Sequence, residues 1–399
     1  MSVSEQSKYL ISNYGPPPLE IVKGEGSYLW DSSGKKFLDF TSGIAVTNIG
    51  HSHQHWIDSV SKQAKQLVHC SNLYSIPQQV NLAKRLIAHI GPGKMLFCNS
   101  GAEANEALIK FARLTGNQVP GPKKHKLIVA ENAFHGRTMG ALSATSSSKY
   151  RNGFEPLLDG FSFAPLNDLA AFKSKIDEQT IGIMVESIQG EGGIQVASDS
   201  FLQGLQEICL EKNLLFMLDE VQAGIGRTGE FLGFQKSGVK PDAVAMAKGL
   251  GGGFPIGGIW LKEKWTEIFQ PGSHGTTFGG SPLACSAAHA VLDVIEKEDL
   301  IKKTQKHGEF LQSELENLKN KYPNLIKEVR GRGLMLALVM QNLPNDLITK
   351  LRQKGLLVVG AAGNAIRFLP PLTICNSELK EALEITKSSL KEFHNALQK

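Results

Sequence analysis

Short apolar runs alternate with amphipathic ones through the middle of the chain. Lys94–Asn99 (KMLFCN), Lys126–Ala130 (KLIVA), Ile181–Glu186 (IGIMVE), Leu214–Asp219 (LLFMLD), Ala243–Ala247 and Ile256–Leu261 are apolar segments of strand length. Between them, Ala102–Thr115 places Ala104, Leu108, Phe111 and Ala112 at helical spacing, and a second helical pattern covers Phe201–Lys212. Near-continuous apolar strands separated by helices predict an α/β fold with a mostly parallel central sheet, covered on both faces. Sheets of this kind bind ligands beyond the C-terminal ends of their strands.

The rhythm changes in the last third. Helical patterns run from Pro282 to Lys321, followed by an extended stretch Ile326–Met340 and a helix near Asn345–Lys354. Leu356–Val359 and Ile366–Leu369 read as short strands, and a last helix runs from Ser377 to Leu397. The expectation is a large domain over 45–285 and a smaller α+β domain built from 1–44 and 286–399. Ser27–Leu38 reads as a hairpin around Ser33-Gly34, expected to pack with the C-terminal part rather than the central sheet.

Composition narrows the classes. The chain has 399 residues, 41% of them hydrophobic, enough for a large core without disulfides. No run of about 20 apolar residues could cross a bilayer as a helix. Lys plus Arg is 43 against 38 for Asp plus Glu, a net charge of +5 that is too diffuse to argue for nucleic acid. The five cysteines, Cys70, Cys98, Cys209, Cys285 and Cys375, are scattered without a Cys-x-x-Cys, which fits a reducing compartment. The first 15 residues carry neither an apolar signal core nor an Arg-rich presequence, so a cytoplasmic chain is expected. His51, His53 and His55 would share one face only if they lay on a strand, and no metal is expected there.

Three places carry chemistry. Ser100-Gly101-Ala102 lies between a strand and a helix, where free N–H groups suit a phosphate; Ser-Gly before a helix also serves as an ordinary cap. Asp219 ends an apolar strand, so its carboxylate needs a partner: a cap, a salt bridge, or a cationic nitrogen of a ligand. Lys248 ends another apolar strand and meets Gly249-Leu250-Gly251-Gly252-Gly253; desolvation there would make its amine a nucleophile, the alternative being a lysine that snorkels from a flexible turn. A phosphate seat, a carboxylate and an activated lysine together are the set that pyridoxal 5′-phosphate (PLP) requires.

These residues sit in segments that resemble the class III (subgroup II) PLP-dependent aminotransferases. The matching segments are GEGSYLWDSSGKKFLDFTSGIAV, NSGAEANEALIKFAR, AFHGRT, ESIQGEGG, LDEVQAGIGRTG, AMAKGLGGGFPIGG, HGTTFGGSPLAC, VRGRGLMLAL and IRFLPPL, spanning Gly24 to Leu372 in family order. The resemblance implies the fold-type-I transferase architecture and a homodimer with shared active sites. It implies that Lys248 holds the cofactor aldehyde covalently and moves the proton, that Asp219 pairs with the pyridine nitrogen, and that Gln222 donates to the ring hydroxyl. It also implies that Ser100, Gly101 and Ala102 bind the phosphate, that Phe134 stacks on the ring, and that Thr277 reaches the phosphate of the other subunit.

For the substrate, the resemblance is strongest to the branch that moves the terminal amino group of N2-acetyl-L-ornithine to 2-oxoglutarate, giving glutamate. It implies Arg137 for the α-carboxylate of that donor and Arg367 for the 1-carboxylate of glutamate or 2-oxoglutarate. Glu191 would mask Arg367 in the first half-reaction, and Thr276 would touch substrate from the neighbouring subunit. Ornithine, succinylornithine and 4-aminobutyrate are the rival donors, and a non-catalytic PLP-binding protein is the alternative from another class. His135 and Gly192-Gly193 favour the acetylornithine branch. The family's usual Pro is replaced by Gln54 after Gly50-His51-Ser52-His53, and by Ser187 within ESIQGEGG.

Overall fold

The computed structural model describes residues 8–118, 121–342 and 345–397. The start of the N-terminal stretch, residues 1–7, lies outside them, as do 119–120, 343–344 and 398–399.

A seven-stranded sheet forms the centre, in the order Gly93–Cys98, Gly257–Lys262, Ala243–Met246, Leu215–Asp219, Thr180–Glu186, Lys126–Ala130, Phe161–Ala164. Only Gly257–Lys262 runs against its neighbours; the other pairings are parallel. The apolar runs predicted this sheet, with two differences. The strand Phe161–Ala164 was not expected, because FSFA alternates aromatic with small residues over only four positions. The reversal of Gly257–Lys262 is invisible to periodicity, which is the same for either direction. Its effect is to send the chain back across the sheet after Lys248.

Helix Gly101–Gln118 covers one face, burying Ala104, Leu108, Phe111 and Ala112 as the spacing requires. Ser198 caps Asp199–Lys212, its side chain accepting from Phe201 N–H, and Asn213 ends that helix in the left-handed conformation. Helices Pro282–Lys297 and Leu300–Lys321 follow, the first with Ser281 as cap and Pro282 opening it.

The C-terminal third makes a second sheet, in which Ile326–Arg332, Met335–Met340, Ala365–Phe368 and Val359–Ala361 pair in that order, all antiparallel. The expected N-terminal hairpin pairs Tyr28–Asp31 with Lys36–Asp39. Lys36–Asp39 then takes Leu356–Leu357 as a parallel partner, so the two ends of the chain share a sheet. Arg227, fully buried, ties these parts together by donating to the carbonyls of Leu334 and Pro370 and to Asn48 Oδ1. The three histidines lie on no strand: helix Gln54–Ala64 begins between His53 and His55, and His51, His53 and His55 each meet a different carboxylate, Asp39, Glu298 and Asp293.

Candidate active site

The C-terminal ends of the parallel strands bring Glu186, Asp219 and Lys248 to one edge of the sheet. Asp219 is buried and accepts three hydrogen bonds: from His135 Nδ1 at 2.7 Å, Asn105 Nδ2 at 2.7 Å and Val221 N–H at 2.9 Å. The sheet register sets Asp219 beside Glu186 on one side and Ala245 on the other. Burial pushes the Glu186 carboxyl up to about 8, opposed by His135 and reinforced by the nearby Asp219.

Lys248 opens the short 3-10 turn Lys248–Gly251 at φ +40, a left-handed conformation that costs a non-glycine residue about 1–3 kcal/mol. Such strain is common where a fold fixes a functional side chain. Its amine makes no hydrogen bond or ion pair among the described residues. Burial lowers its ammonium to about 8, helped by Arg367 and opposed by Glu191, Asp219 and Glu186.

Ser100 caps helix Gly101–Gln118, its Oγ accepting from Glu103 N–H at 3.1 Å while Glu103 reaches back to Asn99 N–H at 2.6 Å. The ordinary cap therefore forms at the place where an anion seat is expected. The cap occupies the Glu103 amide and leaves those of Gly101 and Ala102 without partners among the described residues. Close approach is built in: a Cβ on Gly101 would lie 2.6 Å from Val221 Cγ1, and one on Gly136 would lie 2.8 Å from Ala102 Cβ.

Arg367, 1% exposed, forms a two-pronged ion pair with Glu191, at 2.5 Å (Nη1–Oε1) and 3.3 Å (Nη2–Oε2). It also donates to Gln222 Oε1 and the Gly360 carbonyl, leaving the Gln222 amide nitrogen free to donate. Glu191 and Phe134 line a cavity of about 420 Å³ together with Tyr150, Gly360 and Asn364. Phe134 meets Tyr150 edge-on at 5.4 Å, and the exposed Arg137 lays its guanidinium 4.2 Å above the Tyr150 ring. Arg137 has no ion pair among the described residues.

Of the expected residues, Thr276 accepts from Asn99 Nδ2 at 3.1 Å, next to the helix start of its own chain. Thr277 is exposed and hydrogen-bonds to none of the other site residues. Sequence reading missed Asn105, Glu186, Val221 and Tyr150. Glu186 was legible, since it ends IGIMVE as Asp219 ends LLFMLD. Asn105 stands beside Ala104 in the buried face of its helix, a polar residue in an apolar stripe. Val221 and Tyr150 carried no local signal.

The site fits PLP on its own geometry. It offers two unpartnered helix-start amides, a free lysine amine, a fixed carboxylate, and buried atoms with open valence at Asn105 Oδ1 and His135 Nε2.

Comparison with known proteins agrees. The family Aminotransferase class-III matches residues 9–390. An acetylornithine aminotransferase of Caldanaerobacter subterraneus is 46% identical over 98% of this chain and 99% of its own. The crystal structure of acetylornithine aminotransferase from Elizabethkingia anophelis superposes with a TM-score of 0.86 at 34% identity, covering 98% of each chain. Ornithine aminotransferase from Toxoplasma gondii gives 0.95 at 32% identity, covering 98% of this chain and 95% of that one.

Proposed function

Because the chain belongs to the class-III aminotransferases, a PLP-dependent family, we propose that it moves the terminal amino group of N2-acetyl-L-ornithine to 2-oxoglutarate, yielding N-acetyl-L-glutamate 5-semialdehyde and glutamate. Bound PLP supplies an aldehyde that accepts amino groups and a ring that withdraws electrons from the reacting carbon. Lys248 would hold it, and Asp219 would serve its ring nitrogen. Gln222 would serve its ring hydroxyl and Phe134 its ring, with Val221 packed against Gly101 at the start of the helix that would take the phosphate. The Gly101 and Ala102 amides and the Ser100 hydroxyl take the phosphate at the positive end of helix Gly101–Gln118. With its pKa brought down to about 8, Lys248 Nζ is a competent base near neutrality and moves the proton of the substrate carbon that bears the amine.

The observation that carries the substrate reading is that Arg367 is masked by Glu191 while Arg137, against the Phe134 and Tyr150 rings that line the same cavity as Glu191, has no ion pair among the described residues. With Glu191 closed over Arg367, the guanidinium open to a carboxylate is Arg137, on the Tyr150 side of the cavity. A donor whose carboxylate lies several bonds from its reacting amine suits a carboxylate site separate from Arg367. When glutamate enters, Glu191 swings away and Arg367 takes its 1-carboxylate in a two-pronged pair. Thr276 adds a contact to substrate.

A second copy of the chain completes the site. Leu73, Tyr74 and Phe278, the last next to Thr277, are large apolar side chains between 62% and 85% exposed, a surface that suits burial in a dimer. Thr277 then reaches the partner's phosphate. Five unpaired thiols accord with work in the cytoplasm, and no helix among the described residues is long and apolar enough to cross a membrane.

Measuring kcat/KM on N-acetylornithine, N-succinylornithine, ornithine and 4-aminobutyrate tests the reading. N-acetylornithine should lead; a clear preference for any of the others removes it.

A further inference from the structure

His135 lies in the loop that follows strand Lys126–Ala130, and nearly all its polar atoms are committed. Its N–H donates to Thr145 Oγ1 at 3.0 Å, its carbonyl accepts from Asn105 Nδ2 at 2.7 Å, and its ring Nδ1 meets Asp219 Oδ2 at 2.7 Å. The same Asn105 nitrogen donates to Asp219 Oδ2, so one amide ties the histidine loop to the carboxylate. Both side chains are sealed from solvent, and Nε2 is buried without a partner. A ring nitrogen left unpaired in the interior is costly, so the contact it accompanies must be worth keeping.

The next strand adds a problem. Register places Glu186 directly beside Asp219, and the Glu186 carboxylate takes only the weak donors Phe134 N–H at 3.3 Å and Gly190 N–H at 3.4 Å. Two neighbouring buried carboxyls do not ionise together cheaply. The other charged groups around them are spoken for or shared. Glu220 is held by the amides of Gly233 and Phe234, Glu106 by those of Gly140 and Ala141, Arg367 is paired with Glu191, and Lys248 faces both strand ends. His135 is the cation-forming side chain bonded directly to Asp219. The bond to Asp219 holds its proton more firmly than in water, while burial works the other way.

We propose that His135 is a positioning residue: its Nδ1–H bond, backed by Asn105, fixes the Asp219 carboxylate where the cofactor's ring nitrogen would meet it and confines the charge of the Asp219–Glu186 pair to Asp219. This rests on the assignment of Asp219 made above. The ring nitrogen's proton is then stabilised by one oriented carboxylate rather than by two that repel.

Full-length His135→Phe and His135→Leu remove the donor while filling its space, His135→Asn keeps a donor near the Nδ1 position, and Asp219→Asn tests the premise. The readouts are PLP affinity of each apo-protein by fluorescence titration, the pH midpoint of the loaded protein's visible absorbance, and kcat and KM. Whichever of the Phe and Leu variants folds should lose about tenfold or more in PLP affinity and kcat, keep KM within about threefold, and shift the midpoint. His135→Asn should return affinity and kcat to within about threefold of wild type. Wild-type affinity and midpoint in the donor-free variants overturn the proposal, as does an Asn variant no better than they are. If Asp219→Asn moves the readouts while the donor-free variants do not, His135 alone loses its role. If Asp219→Asn moves none of them, the Asp219 assignment falls first.

Discussion

Arg367 and Glu191, 176 positions apart, close on each other through two hydrogen bonds, with Glu191 also lining the cavity that holds Phe134 and Tyr150. The arginine is buried and the glutamate partly exposed, so the pair opens from the glutamate side. An ion pair that a carboxylate-bearing substrate can replace in kind is a selector, because the incoming carboxylate restores the bonds that Glu191 gives up.

Glu191→Ala should therefore leave Arg367 open to α-amino acids from the start. We expect kcat/KM for N-acetylornithine to fall about tenfold, with glutamate holding within about threefold. Equal losses on both donors would show that Glu191 does not discriminate between them.

Arg137→Ala should strike the opposite donor. Losing a charge-assisted bond costs about 1.5–3 kcal/mol, or roughly 10- to 150-fold in kcat/KM for N-acetylornithine. Glutamate, served by Arg367, should change little. Parallel loss on both would remove Arg137 from carboxylate binding and leave it as a cap on Tyr150.

Loading of the apo-protein reads Lys248 directly. Its ammonium is held down to about 8 by burial, so the rate of PLP capture should climb as pH rises through that value and then level. A rate that keeps climbing toward pH 10 would indicate an ordinary lysine. Lys248→Ala should retain PLP only loosely and lose turnover by on the order of 10³-fold.

Glu186 makes a prediction about stability. Its folded pKa of about 8 lies above the unfolded 4.5, so the folded state binds more protons between those values. The contribution is complete below about pH 4.5 and is lost as pH rises through about 8. Glu220, raised to about 7 by burial, and His135, raised by Asp219, act in the same direction. Apo Glu186→Gln should therefore lose less stability than wild type from pH 6 to 9 in urea titrations, keeping a residual slope from the other two. Identical slopes would mean that Glu186 is ionised in the fold.

Much of the site was readable because it is local. Lys248 and Asp219 stand where apolar strands stop, Gly101 where a helix begins, and each change of pattern is written within a few residues. Glu186 stands at the same kind of boundary, where the apolar strand IGIMV stops. His135 marks a branch of the family, but nothing near it in sequence points to Asp219, 84 residues on.

The strands, the helix spacing and the strand-end charges follow from side-chain period and burial, which act over a few neighbouring residues, and the sequence determined those by itself. Tertiary structure decided which ends meet: the reversed strand Gly257–Lys262, the register that sets Glu186 beside Asp219, the reach of Asn105 across to both His135 and Asp219, and the closure of Glu191 on Arg367. Hydrogen-bond register and long-range packing choose among partners that look alike in a local pattern, so only the folded chain can show the choice.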